Sequence, residues 1–138
     1  MSKQSTERLR EELLDLHKKS IQAHFEKNVE YLLHDLSPDF FVISKAEIAH
    51  PSVEEQRITF TDYLTQTTFN EYRDLVDPEI GFSDDNSLAW INVKVKVSGT
   101  RRNDDGSSEP IDFTCAWLTL YRWVENRWLR LGEVSTWR

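Results

Sequence analysis

The chain has 138 residues, 38% of them hydrophobic and 30% charged, with a net charge of -7. That length suits a single domain spanning 1–138 with a substantial core. The acidic balance, with no cluster of Lys or Arg, argues against nucleic acid and anionic membranes, which require a basic surface. A lone cysteine, Cys115, excludes an internal disulfide and a multi-cysteine metal cage. The N-terminus is polar and periodic, and no run of apolar residues is long enough to span a bilayer, so a cytoplasmic protein is expected.

Residues 6–27 have the periodicity of an amphipathic helix. Leu9, Leu13, Leu16 and Ala23 form one side of its apolar arc, and Leu14, Ile21 and Phe25 the other. Arg10, His17 and His24 recur at heptad spacing between these two sets, which places two histidines in the middle of the buried stripe. Asn28 is positioned to cap a short second helix over 29–36, which Ser37-Pro38 must end. The strand predicted over 39–43 is apolar on both faces, with Asp39 at its entrance.

His50-Pro51 breaks the chain, and Ser52 with Glu55 has the spacing of a capping box for a third helix reaching about residue 67. Its inward arc holds Val53, Phe60 and Leu64, with Arg57 projecting into it. A strand over 69–76 should bend at Asp77-Pro78 and continue to residue 83. Turn chemistry at 83–86 leads to a strand over 88–98, which alternates aliphatic Ile91, Val93, Val95 and Val97 with Trp90, Asn92, Lys94 and Lys96. The polar stretch 99–110 reads as a mobile surface loop. The last stretch, 111–137, contains four of the five tryptophans and reads as one hairpin turning at Glu125-Asn126.

Three helices followed by a bent strand and long hairpins give an α+β order. Three sets of residues are suggestive: Asp39-Phe40 after the second helix, Ser83-Asp84-Asp85 through Ala89-Trp90, and Asn126-Arg127-Trp128 through Val134-Ser135. With these the chain resembles, over essentially its whole length, the nuclear-transport-factor-two-like superfamily of SnoaL-like polyketide cyclases and ketosteroid isomerases. The resemblance implies a cystatin-like α+β cone, three N-terminal helices packed on the concave face of a strongly curved, mainly antiparallel sheet. It also implies a pocket between the first helix and the sheet, and a homodimer. No catalytic residue follows from it by motif.

With a two-residue turn at Glu125-Asn126, Val124 lies opposite Arg127 and the pairing runs outward from there. One face then carries Ala116, Leu118, Leu120, Leu129, Leu131, Glu133, Ser135 and Trp137. The other carries Phe113, Trp117, Tyr121, Trp123, Trp128 and Arg130. The aliphatic set matches the aliphatic face of 88–98 and is expected under the helices. Trp90, Trp117, Tyr121, Trp123, Trp128 and Arg130 are then expected to form an outward dimer interface, unless the strands twist and a loop covers them.

On the inner side the polar exceptions should meet one another, a water or a ligand. His24 and His17 are the candidate acid or base, Glu133 the group that orients them, and Arg57, Ser135, Phe25, Asp39 and Trp137 the candidate ligand-binding residues. The expected function is a cofactor-free isomerase, cyclase or dehydratase, or a plain binder, acting on a small hydrophobic molecule. The alternative is a noncatalytic dimerisation module whose inner polar groups simply pair. No metal-ligand spacing, P-loop or dinucleotide fingerprint occurs, so neither metal nor cofactor is expected.

Overall fold

The computed structural model describes residues 3–138, with side chains from Thr6 onward. Helix α1 (Lys3–Glu26) is followed by α2 (Val29–Leu33), β1 (Leu36–Ser44), β2 (Glu47–Ala49) and α3 (Val53–Gln66). The strands β3 (Thr67–Asp74), β4 (Glu79–Phe82), β5 (Leu88–Arg102), β6 (Ser108–Val124) and β7 (Arg127–Trp137) complete the order. The three expected helices are present. The second is shorter than expected, because the chain turns extended at Leu36, ahead of Ser37-Pro38.

Local chemistry explains the boundaries. Helix α1 ends with Lys27 in the left-handed region, where the Asn28 amide donates to the Ala23 carbonyl and the Lys27 amide to that of His24, a Schellman closure. The Asn28 side chain then accepts from the Tyr31 amide and starts α2. Helix α3 begins with the expected capping box between Ser52 and Glu55. The break at Asp77-Pro78 divides one edge into β3 and β4, which pair end to end along β5.

The expectation of a strongly curved cone is corrected. The strands form one open, mixed sheet in the order β2-β1-β7-β6-β5-β3 that does not close or curl strongly, and β1 runs parallel to β7. Closure needs both end strands to continue the ladder, and β2 is a three-residue strand with every side chain exposed. The polar loop expected over 99–110 also shrinks. Pairing between β5 and β6 continues to Arg102 and Ser108, and the turn occupies only the residues between, with Gly106 at positive φ.

The faces of the final hairpin are also corrected. Glu125 and Asn126 both have positive φ, as a two-residue primed turn requires, and Trp123 pairs with Trp128 as expected. The register from β5 decides which face is inward. Val93 pairs with Trp117, Ile91 with Thr119 and Ala89 with Tyr121, so the aliphatic side of β5 shares its face with the aromatic side of β6. That face lies under the helices. Leu9 and Leu13 are fully buried in one cluster with Ala89, Ile91, Val93, Tyr121 and Trp128. Further along α1, Ala23 packs in a second cluster with Leu32, Leu64, Phe69, Val95 and Val97.

Tyr121, Trp128 and Arg130 are therefore covered by the protein's own helical layer rather than offered to a partner. Trp117 packs against both clusters and Trp123 against the first. Of the expected interface set only Trp90 faces outward, its indole resting where a side chain on Gly81 would stand. The expectation failed because aliphatic residues were matched with aliphatic ones, whereas the parity of the β5–β6 register pairs them with aromatics.

A bulge restores Glu133 and Ser135 to the inner face. Register shifts between Leu120 and Tyr121, so that Thr119 pairs with Glu133, Trp117 with Ser135 and Cys115 with Trp137. Their expected inward position is thus reached by a different route, with the aromatic face turned inward and the last residues shifted onto it.

Candidate functional site

His17 and His24 are two helical turns apart on α1 and project from one face onto the seam between the two apolar clusters, where a cavity of about 210 Å³ lies, partly open to solvent. Of the residues expected to bind or react, His17, His24, Glu133 and Ser135 line it together. Arg57, Phe25, Asp39 and Trp137 do not. Arg57 lies at the surface, paired with Glu30 and Glu54. Phe25 is exposed with its edge toward Phe69, Asp39 is exposed beyond Ser37, and Trp137 is exposed under the Lys45 ammonium. Arg10, the other polar residue of the helix stripe, donates to the Ile80 carbonyl and sits over the Phe82 ring.

His24 is 8% exposed, with its ring against Tyr72 and Phe69. Its Nδ1 lies 2.7 Å from the Ser20 carbonyl, which can only accept, so Nδ1 carries the proton. Nε2 is left as a lone-pair acceptor with no protein partner among the described residues. Burial, opposed by the Ser20 carbonyl and aided by the Arg130 charge, holds the imidazole below its ordinary value. His24 is therefore neutral at pH 7.

His17 is held the other way round. Its Nε2 donates to Asp74 Oδ1 at 2.7 Å, since a carboxylate accepts, and Nδ1 is the nitrogen that the carboxylate does not engage. The carboxylate that orients a histidine is thus Asp74, at the end of β3, where Glu133 had been expected.

Glu133 belongs to a different cluster. Arg130 donates through Nε to Asp35 Oδ1 at 2.9 Å, through Nη1 to Glu133 Oε1 at 3.0 Å and through Nη2 to the Leu32 carbonyl. Burial opposes the guanidinium charge, but Asp35 and Glu133 outweigh it and raise the group above its ordinary value. The parallel pairing of β1 with β7 sets this up, because Leu36 lies opposite Arg130 and brings Asp35 alongside. The cavity wall also includes Tyr72 and Tyr121, whose hydroxyls burial pushes well up, and the half-buried Cys115, raised for the same reason.

Asp35 and Asp74 were not picked out from the sequence, and Arg130, expected at the dimer interface, belongs to this site instead. Arg130 could have been found from the hairpin register, which sets it opposite Tyr121 on the same face. An arginine on a face of buried rings must find carboxylates.

No family model and no curated protein matches the chain. Solved structures do. An NTF2-like protein from Cytophaga hutchinsonii is 17% identical, with 99% of this chain and 98% of that one covered and a TM-score of 0.70. A ketosteroid isomerase-like protein from Erwinia carotovora atroseptica is 12% identical, covering 90% and 92%, with a TM-score of 0.67. The association domain of C. elegans CaMKII is 9% identical, covering 96% and 98%, with a TM-score of 0.65. The chain has the nuclear-transport-factor-two-like fold.

At these identities the likeness is one of architecture, and the nuclear-transport-factor-two-like fold hosts several unrelated activities, so chemistry has to be argued from the side chains. Among the described residues no group of three or more His, Cys, Asp or Glu is placed to hold a metal ion, and no helix is long and apolar enough to cross a membrane.

Proposed function

We propose that the protein binds a small, largely apolar molecule in the cavity between α1, α2 and the sheet, and acts on it by cofactor-free proton transfer of the isomerase, cyclase or dehydratase type. The observation that carries this reading is His24. A neutral, buried imidazole has one nitrogen pinned by the Ser20 carbonyl and the other free beside a cavity walled by aromatic rings. In this reading Nε2 of His24 takes or returns the proton, and His17, backed by Asp74, supplies a second acid or base across the same space. Arg130 and its two carboxylates give the wall a fixed charge pattern.

A screen of single-ring compounds by ligand-observed NMR tests the binding. Compounds that bind the native chain should lose binding in Ser135→Trp, which fills the cavity, while the far-UV circular dichroism stays native. Binding that survives this substitution places the ligand elsewhere and rejects the reading. For an identified substrate, His24→Ala should abolish turnover; unchanged turnover rejects the proton-transfer role.

A second reading has its own observation. On the sheet face away from the helices, Trp90 pairs with Leu120, and Leu118 with Val134, making an apolar band over β5, β6 and β7 in which Trp90 and Val134 are exposed. In this reading the band joins two copies of the chain, in keeping with the shared architecture of the CaMKII association domain. Leu118→Glu should then shift the sedimentation coefficient from dimer to monomer. A native chain that is monomeric at high micromolar concentration rules the band out as a homodimer face.

A further inference from the structure

The charge lining the cavity is unbalanced, and this bears on the class of ligand. Among the described residues Arg130 is the only Arg or Lys that lines it, while Asp35 and Glu133 both do. Each nitrogen of the guanidinium already donates, to Asp35, Glu133 and the Leu32 carbonyl, so its charge is met within the cluster by two carboxylates. The cluster therefore presents one net negative charge to the cavity. Asp74, behind His17, is a third carboxylate near the same space.

Glu133 gives only Oε1 to Arg130, and its other oxygen has no partner among the described residues, on a side chain that is partly exposed. The rings of Trp117, Tyr72 and Tyr121, groups that attract cations over their faces, line the same cavity. The nine-tenths-buried His24 contributes a lone pair at Nε2, an acceptor suited to an N–H donor. The Glu133 charge is felt at Tyr72 and Cys115, where it adds to the upward push of burial, while at His24 it is the Arg130 charge that is felt.

We infer that the cavity selects a cationic ligand, a ring-bearing amine whose ammonium lies between the free oxygen of Glu133 and Nε2 of His24 while its ring packs on Trp117 and Tyr121. This rests on the reading of the cavity as a ligand site and names the class of molecule it takes. The size is consistent. A protein cavity of roughly 150 Å³ takes up benzene, so the present one has room for one ring and a short substituent.

Benzylamine, benzyl alcohol and benzoate, which match closely in size but differ in charge, form the test. They are titrated at pH 7 against the full chain while the indole N–H signals are followed by NMR. Benzylamine should bind at least ten-fold more tightly than benzyl alcohol, with benzoate weakest, and Glu133→Gln should reduce the amine-to-alcohol ratio at least five-fold. Equal or tighter binding of benzoate, or a ratio unmoved by Glu133→Gln, overturns the inference while leaving the cavity a binding site. If none of the three binds, the cavity reading falls and the inference with it. The order among the three probes is read on the native chain, so the result does not hang on the variant folding.

Discussion

Replacing Arg130 by Met tests the central electrostatic claim. The guanidinium is 11% exposed and the Asp35 carboxylate 9%, and the two meet at 2.9 Å. Without Arg130, Asp35 becomes a buried charge with no cation, a change that costs about 3–5 kcal/mol. Glu133, at 30% exposure, keeps enough water to add less than about 1 kcal/mol. Since a domain of this size has on the order of 5–15 kcal/mol in total, the variant should sit close to its unfolding threshold. Its melting temperature should be roughly 10–15 °C lower.

The assay is urea denaturation followed by tryptophan fluorescence, run alongside the triple variant Asp35→Leu, Arg130→Met, Glu133→Leu. Removing all three charges together should recover most of the loss, because the desolvation of every member disappears with it. A loss below about 1 kcal/mol for Arg130→Met would refute the reasoning, since the triad would then behave as a solvated surface pair. So would a triple variant no more stable than the single one.

Because His24 is held below its ordinary value of 6.5, the unfolded chain binds a proton more readily than the folded one as pH falls from there. Stability should therefore rise with pH up to about 6.5 and then level off, and His24→Asn should flatten that part of the urea-midpoint profile; an unchanged slope assigns the effect to other groups. A β-carbon added at Gly99 would lie 2.0 Å from the Thr68 carbonyl oxygen, whereas at Gly132 it would meet the tip of the Phe41 ring, which can swing away. Gly99→Ala should accordingly cost about 3 kcal/mol and Gly132→Ala clearly less, and equal losses in thermal melts count against this reading. Ser52→Ala removes the acceptor for the Glu55 amide and should lower stability by roughly 1 kcal/mol, with no change in the affinity of any cavity ligand.

Much of the architecture was legible because it depends on local chemistry. The heptad recurrence of His17 and His24 inside an apolar stripe, the Ser52 capping box, the break at Asp77-Pro78 and the two-residue turn at Glu125-Asn126 all appear where the residues placed them. What was not legible depends on parity between strands distant in sequence. The polar run over 99–110 hid how far the β5–β6 ladder extends, so nothing in the sequence tied Val93 to Trp117. Asp35 was hidden for a related reason: it reaches Arg130 only through the parallel pairing of β1 with β7, which brings together residues 95 positions apart. Sheet curvature is likewise a property of the whole ladder, and no single turn or bulge along this chain declares it.

The irregularity at Leu131 gives the last strand two reading frames. Ahead of it the even-numbered residues Trp128 and Arg130 share the face of Tyr121, and beyond it the odd-numbered Glu133 and Ser135 do. Deleting Leu131 would merge the frames without removing a single functional side chain. With Leu131 gone, Arg130 and Glu133 would stand two positions apart, so Glu133 and Ser135 would stay on the inner face. The extra residue at this point, where alternation alone marks nothing unusual, is therefore what lets Arg130 and Glu133, three positions apart, meet on one face.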